Sequence, residues 1–288
     1  MLRGQSHAGG KFLLIAPGAR AGGMGEAQLA IANDVYATYY NPAGLGFQEH
    51  HELTGMHMQW LPGLVDDIYY EFAAYKGILP GIGNVGIAFT YLNLGEQIHT
   101  GTLSSAELSR FQSYMWNASV SHAVRLNSSA AVGVTGKIYR MFLAPRGSAE
   151  SLQEIDGATT GFAFDVAYLN HHLFTERLSF AVVLANIGPH ITFVDPGQAD
   201  PAPTTLKFGM SYQPLHTTNH TLALAYDVSQ VLATRGTDGS AMPFYTRFTN
   251  PGGEGKTAWQ NEMFHNIGAE YWYKEMLALR VGGILRNN

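Results

Sequence analysis

Alternation with a period of two runs through most of this chain, from about residue 51 to the end. Successive side chains of a β-strand point to opposite faces, so this alternation marks strands with two unlike faces. It places strands near 51–60, 67–77, 85–93, 111–123, 130–142, 158–170, 177–187, 204–213, 220–229, 264–273 and 277–285. Leu206, Phe208, Met210 and Tyr212 share one face, against Lys207, Gly209, Ser211 and Gln213 on the other. Leu222, Leu224, Tyr226 and Val228 oppose Thr221, Ala223, Ala225 and Asp227 in the same way, and the pattern returns at Phe162/Phe164 and at Val85/Ile87. One face is large and apolar; the other is small or polar, with occasional charges. A soluble sandwich turns its large residues inward and its charges outward. The opposite sense fits a wall with lipid outside and a crowded or hydrated lumen inside.

Strand and connection lengths agree with that reading. Most segments have 9–13 residues, enough for a tilted strand to cross the roughly 25 Å apolar band of an outer membrane. Connections at 78–84, 124–129, 171–176, 214–219 and 274–276 have 7 residues or fewer, whereas those at 94–110, 143–157, 188–203 and 230–263 have 15 or more. Short and long alternate, as periplasmic turns and extracellular loops do; the short 61–66 connection is the exception. The expected fold is all-β: a transmembrane antiparallel up-and-down β-barrel over residues 47–288, with residues 1–46 as an N-terminal plug or periplasmic segment. Eleven strands is an odd number, and single-chain bacterial barrels have even ones. An incomplete barrel would leave unpaired edges in lipid, so the chain is expected to be C-terminally incomplete.

Composition narrows the class further. Charged residues are 14% of the 288, with 33 glycines, 12% aromatics and a mean hydropathy of −0.05. Ordinary soluble proteins carry about 25% charge. No run of 18 apolar residues exists, so no membrane-spanning helix is expected. Tyrosines and Trp60, Trp116 and Trp272 fall towards strand ends, where an interfacial girdle belongs. A net charge of −5 without a Lys/Arg cluster argues against a nucleic-acid partner. Cysteine is absent, which removes thiol nucleophiles and iron–sulfur sites. Met1–Ser6 is not followed by the apolar core of a signal peptide, so the true start is expected to lie upstream.

The segment from Lys11 to Phe47 stands apart from the strands. Its apolar start, Phe12 to Ile15, is closed by Pro17, and four glycines lie between Gly18 and Gly25. Such density implies a tight, buried path, since glycine alone adopts positive φ freely and admits another backbone closely. A short helix is expected over Glu26–Ala32, and Tyr39-Tyr40-Asn41-Pro42-Ala43-Gly44-Leu45-Gly46 reads as a turn before the first strand. A phosphate loop would need Gly-Lys-Ser/Thr where Met24-Gly25-Glu26 stands, and a dinucleotide loop would need a βαβ unit. Neither condition is met.

No catalytic constellation, cofactor site or metal site is expected. The twelve histidines lack zincin spacing: Gly55 stands where His51-Glu52 would need its second histidine. No Gly-x-Ser-x-Gly elbow is present. Arg20, Glu71, Lys137, Asp165, Lys207, Asp227, Glu270 and Arg280 are read as inward charges that pair across the lumen and hold the plug, because unpaired charge there is costly. The longest connection, 230–263, offers Met242, Phe244, Tyr245, Phe248 and Trp259 as contacts for a partner.

The run Phe12 to Gly25, with Asn41-Pro42-Ala43-Gly44, resembles the N-terminal signature of the PorV family, the outer-membrane barrels of the type IX secretion system. Gly268-Ala269-Glu270-Tyr271-Trp272-Tyr273 and Leu277 to Gly282 extend the match. The family is similar in fold to the FadL-type barrels, in which an N-terminal segment plugs a 14-stranded pore. The resemblance therefore implies 14 strands, about three of them absent here. It also implies a non-enzymatic protein of the Bacteroidota-type outer membrane. Its implied partners are the type IX translocon barrel, secreted cargo with C-terminal signal domains, and the attachment complex containing a PorU-type sortase, besides outer-membrane lipid. The alternative is a FadL-type channel for hydrophobic small molecules.

Overall fold

The computed structural model describes residues 8–60, 62–100, 107–146, 157–249 and 263–286. Two short helices, α1 (Ala19–Gly23) and α2 (Ala37–Tyr40), and two 3-10 turns, Lys11–Leu14 and Pro42–Phe47, precede the strands. Then follow β1 (Glu52–Gln59), β2 (Ile68–Leu79), β3 (Gly83–Thr100), β4 (Glu107–Arg125), β5 (Ala130–Ala144), β6 (Gly157–Asn170), β7 (Leu178–Ile187), β8 (Thr205–His216) and β9 (His220–Val231). A two-stranded ribbon, β10 (Thr234–Arg235) and β11 (Ala241–Met242), and a helical turn, α3 (Thr246–Thr249), lie in the longest connection before β12 (Met263–Tyr273) and β13 (Leu277–Arg286). Eleven strands form one antiparallel sheet in chain order, β1 to β9, then β12 and β13. The sheet is an up-and-down meander that is not closed, with β1 and β13 at its edges. No described helix is long and apolar enough to cross a membrane, which says nothing of strands.

Each predicted strand corresponds to one of these eleven, but the boundaries differ where the environment changes. The connection read at 94–110 is largely ribbon: β3 and β4 stay paired out to Thr100 and Glu107 after a bulge between Asn93 and Glu96. Glu96 and Glu107 hold Arg110 there at 2.6 and 2.5 Å. That stretch is exposed on both faces, so it carries no alternation to read. Similarly β8 runs through Pro214 to His216, with a bulge between Tyr212 and Leu215 absorbing the missing proline N–H.

The helix expected over Glu26–Ala32 does not form. Gly25, Glu26 and Ala32 have positive φ, and the backbone N–H groups of Gln28 and Leu29 donate to the Asp227 carboxylate at 2.8 and 2.9 Å. A wall carboxylate has replaced the intrahelical acceptors. The turn expected over Tyr39–Gly46 is the end of α2 followed by the second 3-10 helix, which Asn41 caps, its Oδ1 accepting from Ala43 N at 3.1 Å.

Residues 9–47 run through the lumen from end to end. Gly9 N donates to Pro201 O at 3.0 Å beside the long connections. At the short-turn end, the Phe47 ring meets His171 at 4.4 Å and Arg125 donates to Gly46 O at 3.2 Å. The core lies between this plug and the inner wall. Leu29, Tyr40 and Leu45 pack on wall alanines such as Ala123, Ala167 and Ala181, while Phe12 and Val35 pack on Tyr70, Phe72 and Tyr139. A small inner face is therefore a steric need, since the plug occupies the space. At Gly25, φ is 59° and an added Cβ would sit 2.4 Å from Gly283 N of β13, so both conformation and contact demand glycine. Outside, Phe162, Phe164, Phe208 and Leu224 are exposed, as lipid-facing residues must be.

Candidate functional site

Two parts of the molecule gather functional side chains: the polar seam between plug and wall, and the groove among the long connections. At the seam, Glu270 of β12 lies between two guanidinium groups. Arg20 Nε and Nη2 donate to its two carboxylate oxygens at 2.8 and 2.7 Å, and Arg280 Nε donates at 2.5 Å. Arg20 also reaches Asp34 at 2.8 Å and Asn33 at 2.7 Å within the plug. Burial alone would pull the Arg20 guanidinium down, but Glu270 and Asp34 more than offset this and hold it above its ordinary value. A bidentate Arg–carboxylate pair fixes direction as well as charge. Arg280 further stacks over Trp272 at 5.2 Å.

A second centre joins β5, β6 and β7. Lys137 Nζ forms an ion pair with Asp165 at 2.8 Å and donates to Asn186 Oδ1 at 2.7 Å. The second Asp165 oxygen accepts from Asn186 N at 2.7 Å. Asn186 has positive φ in the bulge where β7 departs from regular pairing with β6. The carboxylate thus satisfies a backbone donor that the bulge withdraws from the ladder. Asp227 binds the plug backbone as described above, and the Lys207 ammonium lies over the Tyr39 ring at 5.5 Å.

Glu71 is a correction. It projects from the outer face of β2 and meets His57 at 3.2 Å, both side chains being well exposed. The inward set of β2 is Tyr70, Phe72, Ala74 and Lys76. Large aromatics face inward here because the plug offers aromatic partners, Tyr36 stacking on Phe72 at 5.5 Å. That inverts the large-out, small-in rule from which Glu71 was placed. Lys76, paired with Glu52 at 3.2 Å, is the charge the sequence reading missed. That reading also missed two neutral polar residues, Asn266, which donates to Gly25 O at 2.7 Å, and Asn186. Strand parity signals Asn266; nothing in sequence signals the bulge at Asn186.

In the longest connection, Met242, Phe244 and Tyr245 line a cavity of about 360 Å³ with Pro189, His190 and Pro201. Phe248 is exposed on α3 and lies outside this lining. Trp259 lies outside the described residues. The connection is fastened to its neighbour: Arg235 pairs with Asp200, and Leu232 N donates to Thr204 O at 2.7 Å. The groove therefore rests on two mutually braced connections.

The model of a family described as type IX secretion system protein PorV matches residues 5–238. Among solved structures, the Ralstonia pickettii toluene transporter TbuX aligns with a TM-score of 0.51 at 11% identity, covering 95% of this chain and 87% of its own. A Pseudomonas aeruginosa FadL homologue aligns at 0.48 and 10% identity over 92% of this chain and 79% of its own. The Pseudomonas putida toluene transporter TodX aligns at 0.47 and 11%, over 93% and 82%. The TbuX likeness establishes the FadL-like fold. No curated protein matches the chain by sequence.

Proposed function

The chain belongs to the PorV family of type IX secretion system proteins, and from that premise we propose that it is a cargo carrier of the outer membrane. It takes secreted proteins bearing C-terminal signal domains from the translocon barrel and passes them to the attachment complex with its PorU-type sortase. The observation carrying this reading is the family match, which runs through the plug and the first nine strands. Two structural features support it. Plug side chains pack on the inner wall in two buried clusters, which suits a wall that handles cargo outside its lumen. The groove at Met242, Phe244 and Tyr245 offers aromatic anchors on a braced surface, the residue types that dominate protein interfaces.

The FadL-type reading, a channel for hydrophobic small molecules, is favoured by the fold likeness alone. Deleting 236–258 from the full-length protein separates the two. A carrier should remain assembled in the outer membrane but recover less cargo in pull-downs. A channel would hold no cargo in either form.

A further inference from the structure

Between plug and wall lies one cavity whose charges stand apart from the Glu270 and Lys137 centres. It has a volume of about 250 Å³ and lies between the plug and strands β8, β9, β12 and β13. Its lining carries three ionisable side chains other than tyrosine: Glu26 from the plug, Lys207 from β8 and Asp227 from β9. Among the described residues the Glu26 carboxylate makes no hydrogen bond or ion pair. Lys207 has only the Tyr39 ring and the longer-range attraction of Glu26, Asp165 and Asp227. Asp227 is 3% exposed; its Oδ2 takes two plug N–H groups, while its Oδ1 is buried without a partner. A buried carboxylate left in the condition of Asp227 is expensive unless something completes it. The rest of the lining mixes apolar and aromatic side chains, Phe264 and Ile284 among them, with the polar Thr205, Ser229 and Asn266.

We propose that this cavity binds a small organic amine with an apolar tail. Two carboxyl groups face one ammonium in the lining, so a protonated amine finds acceptors there that Lys207 does not take. Asp227 Oδ1, buried without a partner, and the Glu26 carboxylate supply acceptors, and Tyr39 and Tyr40 complete the lining beside them. The volume holds roughly eight waters or one ring-bearing molecule, whose tail packs against Phe264 and Ile284. This inference is independent of the cargo-carrier reading.

Three related phenylalkyl probes test it by calorimetric titration of the detergent-solubilised protein: 2-phenylethylamine, phenylalanine and 3-phenylpropionate. The amine should bind, the amino acid equally or less, and the carboxylate least. Glu26→Gln removes a carboxylate that makes no hydrogen bond, and Asp227→Asn keeps an acceptor for the plug amides. Each should weaken the amine at least about tenfold, the worth of one charge-assisted hydrogen bond. Lys207→Met removes the competing cation and should leave the amine bound as tightly or more so. Preferred binding of the carboxylate, binding of none of the probes, or amine affinity unchanged in both carboxylate variants would overturn the proposal.

Discussion

Glu270 is 3% exposed and ionised between Arg20 and Arg280, so one wall residue ties a plug cation to an edge-strand cation. Arg20, Glu270 and Arg280 were legible as inward charges from strand parity and from the glycine turn. Their mutual pairing was not, because residues 250 positions apart meet only once the wall has curved around the plug. Outward residues obey simpler rules. Leu224 is exposed on the lipid face, so Leu224→Arg should cost roughly 2–4 kcal/mol if it lies near the bilayer midplane. Folding titrations in lipid vesicles measure this, and unchanged stability would mean the face is inverted. His171, in the turn after β6, gives a pH signature. Burial, with the charges of His172 and Arg125, pulls its imidazole from 6.5 down to about 4. Between those values the unfolded chain binds a proton that the folded chain excludes. The stability from this group is therefore full above about pH 6.5 and is lost as pH falls towards about 4. His171→Asn should flatten that part of the stability–pH curve.

The strands were legible because two unlike environments impose a period of two on them. Where both sides are alike the signal vanishes, and the solvent-exposed ends of β3 and β4 were read as loop for that reason. Glu26–Ala32 failed as a helix because its amides are claimed by Asp227 from a distant strand, which local propensity cannot register. β2 reversed its faces because the plug supplies aromatic partners inside. The last two misreadings share one cause, a segment remote in sequence. The plug's seat can be tested at Gly133 of β5, where an added Cβ would lie 2.4 Å from both Pro42 C and Ala43 N. Backbone cannot yield there cheaply. Gly133→Val should unseat the 3-10 helix at Pro42–Phe47 while leaving the wall paired. Limited proteolysis from the short-turn side should then cut the plug much faster than in the parent protein; equal protection would show that the plug does not rest there.

Taken together, the strands make a FadL-like wall around a seated segment, and the long connections make a braced groove above it. The wall and the plug were both readable from sequence, the first from periodicity and the second from glycine density and resemblance. The fastening of the groove by Arg235 and Asp200 was not, since neither residue carries a local pattern. The central claim is that the plug stays in the lumen while cargo is handled outside. The chain contains no cysteine, so a paired replacement reports on this cleanly. A Cβ at Gly46 would lie 3.7 Å from the Cβ of Ala123, close to the spacing a disulfide requires. The decisive measurement is cargo recovery by Gly46→Cys/Ala123→Cys full-length protein, oxidised in the outer membrane and compared with its reduced form. The expected result is near-complete cross-linking with cargo recovery unchanged. Failure to cross-link, or cross-linked protein that no longer recovers cargo, would contradict a plug that remains seated while the carrier works.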